Sequence, residues 1–289
     1  MGEYTAMKIL VTGASGYLGS HVRRYFAADD LSRRSGLDIC RSEDVEIVRN
    51  YDAVIHLGAL IDKSSKAIEQ IYAVNVGGTI NLLRNLRSGQ VFIFASTKDV
   101  YGKHADRYSE VPEDCSTEFC GQNAYEWSKF IAEKYVQFYA HRAGARAAIF
   151  RLSTTYAPPT PGNSGGFVNL FASAVKNNRQ LRLKMRGEQR RDLLHVRDLA
   201  RAFELFIASS IQSEVFNIGG GKQNSTTLIE LVRMLGELTG KEPRVELSDE
   251  PVAEQAHYVT DLAKISRLLD WRPEIGIREG LKTIIEDQV

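Results

Sequence analysis

The stretch KILVTGASGYLGSH, residues 8–21, decides the fold. A short β-branched run gives way to an amphipathic run across three glycines, Gly13, Gly16 and Gly19. At a strand-to-helix corner, glycines permit a tight turn and let backbone N–H groups approach a pyrophosphate. They also allow the helix to pack close to the strand, and its N-terminus favours the anion. The spacing is G-x-x-G-x-x-G, not the G-x-G-x-x-G of the standard dinucleotide fingerprint. Gly13, Ser15, Gly16, Tyr17, Leu18 and Gly19 are the expected cofactor loop.

Outward from this corner the pattern repeats. DAVIHLGA (52–59) and VFIFAS (91–96) read as strands, and AIEQIYAVNVGGTINLLRNL (67–86) as a helix. NAYEWSKFIAEKYVQFYAHR (123–142) reads as a helix of about five turns, and ARAAIFRLST (145–154) as a further strand. Alternation of this kind predicts a parallel sheet covered on both faces. The expected class is α/β, a Rossmann-like doubly wound parallel sheet with a smaller C-terminal α/β substrate-binding lid. Residues 7–152, with returning segments near 190–220, form the dinucleotide-binding domain, and 153–289 form mainly the lid. The Pro- and Gly-rich APPTPGNSGG (157–166) opens the second part, where helices are expected near 166–177, 198–210, 226–238 and 277–286.

An acid about 20 residues beyond the glycines reads a ribose 2′-hydroxyl, and a basic residue accommodates a 2′-phosphate. Here ADDLSRRSGLDI (28–39) offers a shortened second strand ending in Arg33 and Arg34. These arginines read as a 2′-phosphate site, hence NADP(H). The alternative is a solvated basic turn, with Asp30 holding the ribose of NAD. Asp38 and Ile39, ending a next strand, are expected to flank the adenine.

Composition narrows the function classes. Of 289 residues, 43% are hydrophobic and 25% charged, enough for a well-buried core, and the formal charge is +1. Interspersed charge of both signs argues against a nucleic-acid surface; the arginines of MRGEQRR (185–191) amount to a local anion site. The three cysteines, Cys40, Cys115 and Cys120, form neither a disulfide framework nor a zinc-ligand pattern, which fits a reducing cytoplasm. No apolar run approaches the ~20 residues of a membrane span, and MGEYTAMKIL has no signal-peptide core; its first six residues read as a short leader before Met7.

Within NAYEWSKF, Tyr125 and Lys129 are four apart, so on a helix both address one ligand. A free phenol with a pKa of about 10 is too weakly acidic to serve as a base at neutral pH. A nearby cation favours the phenolate, and an oxidised nicotinamide would add to the effect of Lys129.

Together with the glycine corner, the segments DAVIHLGA, NVGGTINLL, FIFASTKDVYG, YEWSK, GEQRRDLLHVRDLARA, VFNIGGG and LLDWRP resemble the extended short-chain dehydrogenase/reductase family, in its nucleotide-sugar epimerase/dehydratase branch. The resemblance implies that Tyr125 is the acid/base on a sugar hydroxyl. It implies that Lys129 binds the nicotinamide ribose and lowers the tyrosine pKa, and that Thr97 hydrogen-bonds the same sugar oxygen. Ser96 would line the nicotinamide side; Leu57, Gly58 and Ala59 the pyrophosphate and ribose wall; and Asn75 the helix facing the cofactor. Plain core packing is the alternative for Leu57, Gly58, Ala59 and Asn75.

Dehydratases of the branch resemble STDEVYG at this strand end, whereas this chain has STKDVYG, with Lys98 in place of an acid and Asp99 in place of the glutamate. That leaves a sugar epimerase or an NADPH-using 4-keto-sugar reductase. Arg191 matches the family's substrate-diphosphate arginine, with an ion pair to Asp192 or Asp198 as the alternative, and Lys98 and Thr154 are further substrate candidates. Two departures concern the substrate: SDEPVAEQAHYVTDLAK (248–264) lacks a second diphosphate arginine, and RLSTTYAPP (151–159) carries Thr154 where relatives tend to have asparagine. His195 is expected to be a packing histidine. A homodimer through the Tyr-bearing helix is implied by the resemblance. The rival readings are a small-alcohol dehydrogenase of the same fold and a non-catalytic NADP-binding sensor.

Overall fold

A computed structural model of the chain describes residues 7–62, 64, 66–160, 162–163 and 165–286, so the short leader expected before Met7 lies outside the described residues. In chain order, β1 (Ile9–Thr12), α1 (Tyr17–Phe26), β2 (Asp29–Leu31), β3 (Ala53–His56), α2 (Ile68–Tyr72), α3 (Thr79–Leu83) and β4 (Val91–Thr97) come first. Next are α4 (Ala124–Ala143), β5 (Arg146–Leu152), β6 (Thr154–Tyr156), α5 (Phe167–Lys176), β7 (Leu181–Leu183), β8 (Arg190–His195) and α6 (Val196–Ala208). The chain ends with β9 (Ser213–Ile218), β10 (Ser225–Thr227), α7 (Leu228–Thr239), β11 (Val245–Leu247), β12 (His257–Tyr258), α8 (Ala263–Leu269) and α9 (Ile277–Glu286).

Two compact units result. Of the described residues, the first comprises those up to Val100, Gln122–Arg151 and Phe203–Phe216; the second comprises Tyr101–Gly121, those of Leu152–Ala202 and those from Asn217 to Glu286. The large sheet has the order β2-β1-β3-β4-β5-β9. β1 runs parallel to β2 and β3, and β3 parallel to β4, with Thr12 opposite His56 and Phe94 opposite the same histidine. All seven residues of β4 are buried, as a strand covered on both faces requires. The core of this unit includes Leu10, Val54, Phe92, Phe94, Val136 and Ile149.

The helices end where their sequences direct. Asn123 caps α4 reciprocally with Glu126, and Gly144, at φ 66°, closes it through its N–H to the carbonyl of Ala140. The helix expected over 67–86 forms as α2 and α3 joined by a π-turn at Ala73–Gly78, which carries Asn75. In the second unit, β8 is flanked by β10 and β12 and also pairs with β6, while β7 pairs with β11. Its core gathers Val168, Leu193, Leu231, Leu235, Leu281 and Ile284.

One expected strand does not form. Asp38 and Ile39 lie in a turn: the Asp38 carboxylate accepts the Cys40 N–H at 2.9 Å, and the Asp38 N–H donates to Asp44 at 2.7 Å. These local side-chain bonds replace the ladder a strand would need. β2 itself stops at Leu31, so Arg33 and Arg34 belong to a 3-10 turn after the strand and do not end it.

Candidate active site

The glycine corner sits between β1 and α1. Gly13 has φ +68°, and a Cβ there would lie 2.6 Å from the Cα of Gly58. A Cβ on Gly19 would lie 2.1 Å from the Gly13 carbonyl oxygen, so this residue is glycine for the helix-to-strand packing. Gly16 donates its N–H to the Gly13 carbonyl at 2.9 Å and begins α1, whose first turn has neither a side-chain cap nor an acidic residue. The helix end therefore keeps its N–H donors and positive potential for an anion, and Ser15, Tyr17 and Leu18 are half-buried around it. These features fit a dinucleotide pyrophosphate.

A buried polar chain ties the neighbouring loop to this corner. His56, fully buried, bridges the hydroxyls of Thr12 (2.6 Å) and Thr79 (2.8 Å). Thr12 in turn accepts the Gly58 N–H at 3.2 Å, and Thr79 donates to the Asn75 carbonyl at 2.6 Å. Burial, followed by the nearby charge of Lys129, drives the His56 pKa well below its ordinary value, so the ring is neutral. The Asn75 side chain clasps Leu60 through both its N–H (2.7 Å) and its carbonyl (3.1 Å), and donates to Ser128 at 2.9 Å. Asn75 thus fixes the backbone that runs on from Leu57, Gly58 and Ala59, and the packing reading of Asn75 applies alongside any contact to a ligand.

Arg33 and Arg34 are exposed just beyond β2. Asp30 is half-buried; one carboxylate oxygen has no hydrogen-bond partner and the other is 3.9 Å from Arg23. Ile39 is buried against Gly78, where a Cβ would lie 2.8 Å from its side chain.

At the end of β4, Thr97 and Tyr125 meet: the Thr97 hydroxyl hydrogen-bonds the phenol and also accepts the Asp99 N–H at 3.2 Å. Tyr125 is 9% exposed and Lys129, one turn on, is 3% exposed. Protein groups alone push the phenol pKa up. Burial contributes most, then the charges of Asp99 and Glu126, against which only Thr97 pulls down. Lys129 carries its Nζ 4.0 Å from the centroid of the Phe94 ring, and burial lowers its pKa from 10.5 to about 7, countered by the charge of Glu133. The expected lowering of the tyrosine pKa by Lys129 is therefore absent from the protein's own electrostatics. A positive charge held beside the phenol would lower it.

Two buried ion pairs flank this cluster. Lys98 Nζ contacts Asp99 Oδ1 at 2.5 Å. Glu133 accepts two hydrogen bonds from Arg151, at 3.0 and 2.7 Å, and one from Ser96 at 2.5 Å. Glu133, Arg151, His56 and Thr12 were not foreseen as site residues. The fixed spacing of four that joins Tyr125 to Lys129 continues to Glu133, and His56 is the one titratable side chain in DAVIHLGA besides Asp52.

In the second unit, Thr154 lies on β6 opposite Leu193. Arg191 is 4% exposed and donates to the carbonyls of Arg190 (2.8 Å), Gln255 (2.7 Å) and Ala256 (3.3 Å), with Glu254 at 3.9 Å. Its ion-pair partner is thus Glu254, not Asp192 or Asp198. Asp192 is buried and accepts the N–H groups of Gly221 (2.9 Å) and Thr260 (3.2 Å). Asp198 accepts those of Glu274 (3.1 Å) and Ile275 (3.0 Å). His195 packs edge-on to Tyr156 at 5.5 Å, and its Nδ1 accepts the Arg197 N–H at 3.2 Å.

Comparison with known proteins agrees with this architecture. The chain is 28% identical over 333 residues to CDP-paratose 2-epimerase of Salmonella typhi, covering 97% of this chain and 98% of that enzyme. It superposes with a TM-score of 0.85 on MoeE5 in complex with UDP-glucose and NAD, at 26% identity, covering 97% and 98% of the two chains. UDP-glucose 4-epimerase of Thermotoga maritima with UDP-glucose matches with a TM-score of 0.81, at 27% identity and 98% coverage of both. Residues 9–219 match the model of the NAD dependent epimerase/dehydratase family, which spans the glycine corner, the Thr97–Tyr125–Lys129 cluster and β8; the chain belongs to that family.

Proposed function

We propose that the protein transfers hydride to or from one carbon of a nucleotide-activated sugar, with Tyr125 as the acid/base. The observation that carries this reading is the buried contact of the Thr97 hydroxyl with the Tyr125 phenol, one helical turn from Lys129 and in the same unit as the glycine corner. Nucleotide sugars as the substrate class are supported by the names and bound ligands of the relatives.

Gly13, Ser15, Gly16, Tyr17, Leu18 and Gly19 would hold the pyrophosphate of the dinucleotide, and Arg33 and Arg34 the 2′-phosphate of NADP. Leu57, Gly58, Ala59, Asn75 and Ser96 would wall the site, with Ile39 beside the adenine. The nicotinamide supplies the hydride acceptor or donor. Tyr125 takes the proton of the sugar hydroxyl as that carbon becomes a ketone, and returns a proton to the oxygen when the alcohol is re-formed. Thr97 orients that oxygen, and Lys129 contributes positive charge beside it.

The exposed arginine pair supports NADP(H) and a net 4-keto-sugar reduction over an epimerase that retains NAD. Lys98 in ion-pair contact with Asp99 argues against elimination, which needs an acid at residue 98. The state of Arg191, held by three carbonyls, favours as second reading a small-alcohol dehydrogenase lacking a diphosphate contact. We further propose a cytoplasmic homodimer, supported by three cysteines that form no disulfide among the described residues and by the exposed Tyr135 and Phe138 of α4. No described helix is long and apolar enough to cross a membrane.

Denaturing the purified protein and identifying the dinucleotide released separates the cofactor readings. A panel of nucleotide sugars, 4-keto sugars and simple alcohols, followed at the reduced-nicotinamide absorbance, tests the substrate class; signal with simple alcohols alone overturns it.

A further inference from the structure

We propose that Glu133 is a positioning residue for the reaction assigned above. Its carboxylate, anchored by Arg151, orients the Ser96 hydroxyl and keeps the Lys129 ammonium charged one helical turn away. The inference rests on the assignment of Tyr125 and Lys129, and adds a residue whose role follows from geometry.

Tyr125, Lys129 and Glu133 recur every four residues and so form one stripe along α4. All three are buried, Glu133 to 1% exposure. A buried carboxylate carries a desolvation cost of several kcal/mol, and a buried ion pair is often no more stable than apolar residues of the same volume. Stability alone therefore gives weak grounds for an acid at this place. Its partners divide its work. Arg151, on β5, grips both carboxylate oxygens, and Ser96, on β4, donates to one of them. The residue adjacent to Ser96 is Thr97, which touches the phenol, so Glu133 fixes the strand end that presents Thr97.

The remaining partner is Lys129. Around it are the neutral His56 of β3, the Phe94 ring of β4, Glu133 of its own helix, and Arg151 of β5 by way of Glu133. Asp99 acts on Tyr125. Among the described residues, Glu133 is the anion that counters the burial of Lys129, whose pKa of about 7 leaves its charge poised at neutral pH. Without that anion the amine would give up its proton at lower pH and bring less positive charge to the site.

The test uses Glu133→Gln, which keeps the shape and an acceptor but removes the charge. NMR of isotope-labelled lysine follows Lys129, whose signal is identified by its loss in Lys129→Met. The titration of Lys129 is expected to move down by roughly one pH unit or more, and the alkaline limb of the kcat profile to move down with it, while Glu133→Asp restores both in part. Because Glu133→Gln strands a buried arginine and can fail to fold, the double variant Glu133→Gln/Arg151→Met removes both partners and is expected to show the same two shifts. An unmoved titration in a folded variant overturns the proposal, and so does a moved titration with an unmoved limb. Failure of the underlying reading shows elsewhere, as unaltered turnover in Tyr125→Phe.

Discussion

The Nζ of Lys129 lies 4.0 Å from the centroid of the Phe94 ring, in an interior where burial has lowered its pKa from 10.5 to about 7. A cation held over an aromatic face recovers part of its lost hydration. The remaining cost is the reason to regard this lysine as placed for chemistry at the expense of stability.

Lys129→Met is accordingly expected to stabilise the fold. As pH falls through 10.5 the unfolded chain takes up this proton, while the folded chain does so only near 7. The parent thus loses stability across that interval as pH falls, and the loss is complete below it. At about 1.4 kcal/mol per unit of pKa, the variant gains about 2–5 kcal/mol at neutral pH, and the gain shrinks towards zero at high pH. Urea unfolding measured across the interval checks the sign.

His56 gives the opposite end of the pH scale. Its folded pKa lies well below 6.5, so the unfolded chain binds a proton that the folded chain refuses, and stability falls as pH drops below 6.5. His56→Leu should flatten this acid limb yet cost about 1–3 kcal/mol at neutral pH by stranding the Thr12 and Thr79 hydroxyls. Because Thr12 holds the Gly58 N–H, dinucleotide affinity should weaken as well, which calorimetric titration reads.

The Tyr125 phenol should not ionise below pH ~10 in the protein alone, its free value, because burial, Asp99 and Glu126 all raise its pKa. Ultraviolet difference titration against Tyr125→Phe isolates this tyrosine from the other eleven of the 12 present. Adding oxidised cofactor should lower the transition; an unchanged transition would deny the phenol a place beside a cationic ring.

Arg33 and Arg34 sit exposed past the end of β2. Replacing both with alanine removes charge-assisted bonds worth about 1.5–3 kcal/mol each. NADPH affinity should fall by roughly 100- to 10,000-fold, with NADH affinity changed by less than about threefold. Unchanged affinity for both cofactors would favour the Asp30 reading, in which the arginines form a solvated turn.

Local signals made much of this molecule legible. The strand-to-helix glycine corner and the long helix α4 are written in adjacent residues and form as expected, and the Asn123/Glu126 box and Gly144 stop that bound α4 are local as well. Asp38 and Ile39 do not end a strand, because the Asp38 side chain takes the Cys40 N–H and holds the segment in a local turn. Glu133 and Arg151 are 18 residues apart, and His56 and Thr12 are 44 apart. Such pairings exist only once the sheet has formed, and Glu133, held in this way, acts on the charge of Lys129. The carbonyl bonds of Arg191 to Gln255 and Ala256 are likewise products of strand pairing in the second unit.

The central claim, that Tyr125 moves the proton while hydride is exchanged at a sugar carbon, is tested most directly by Tyr125→Phe assayed at the reduced-nicotinamide absorbance with saturating nucleotide sugar. Turnover should drop by roughly 100- to 10,000-fold, with cofactor affinity kept within about threefold of the parent. Turnover within a few-fold of the parent would contradict the account.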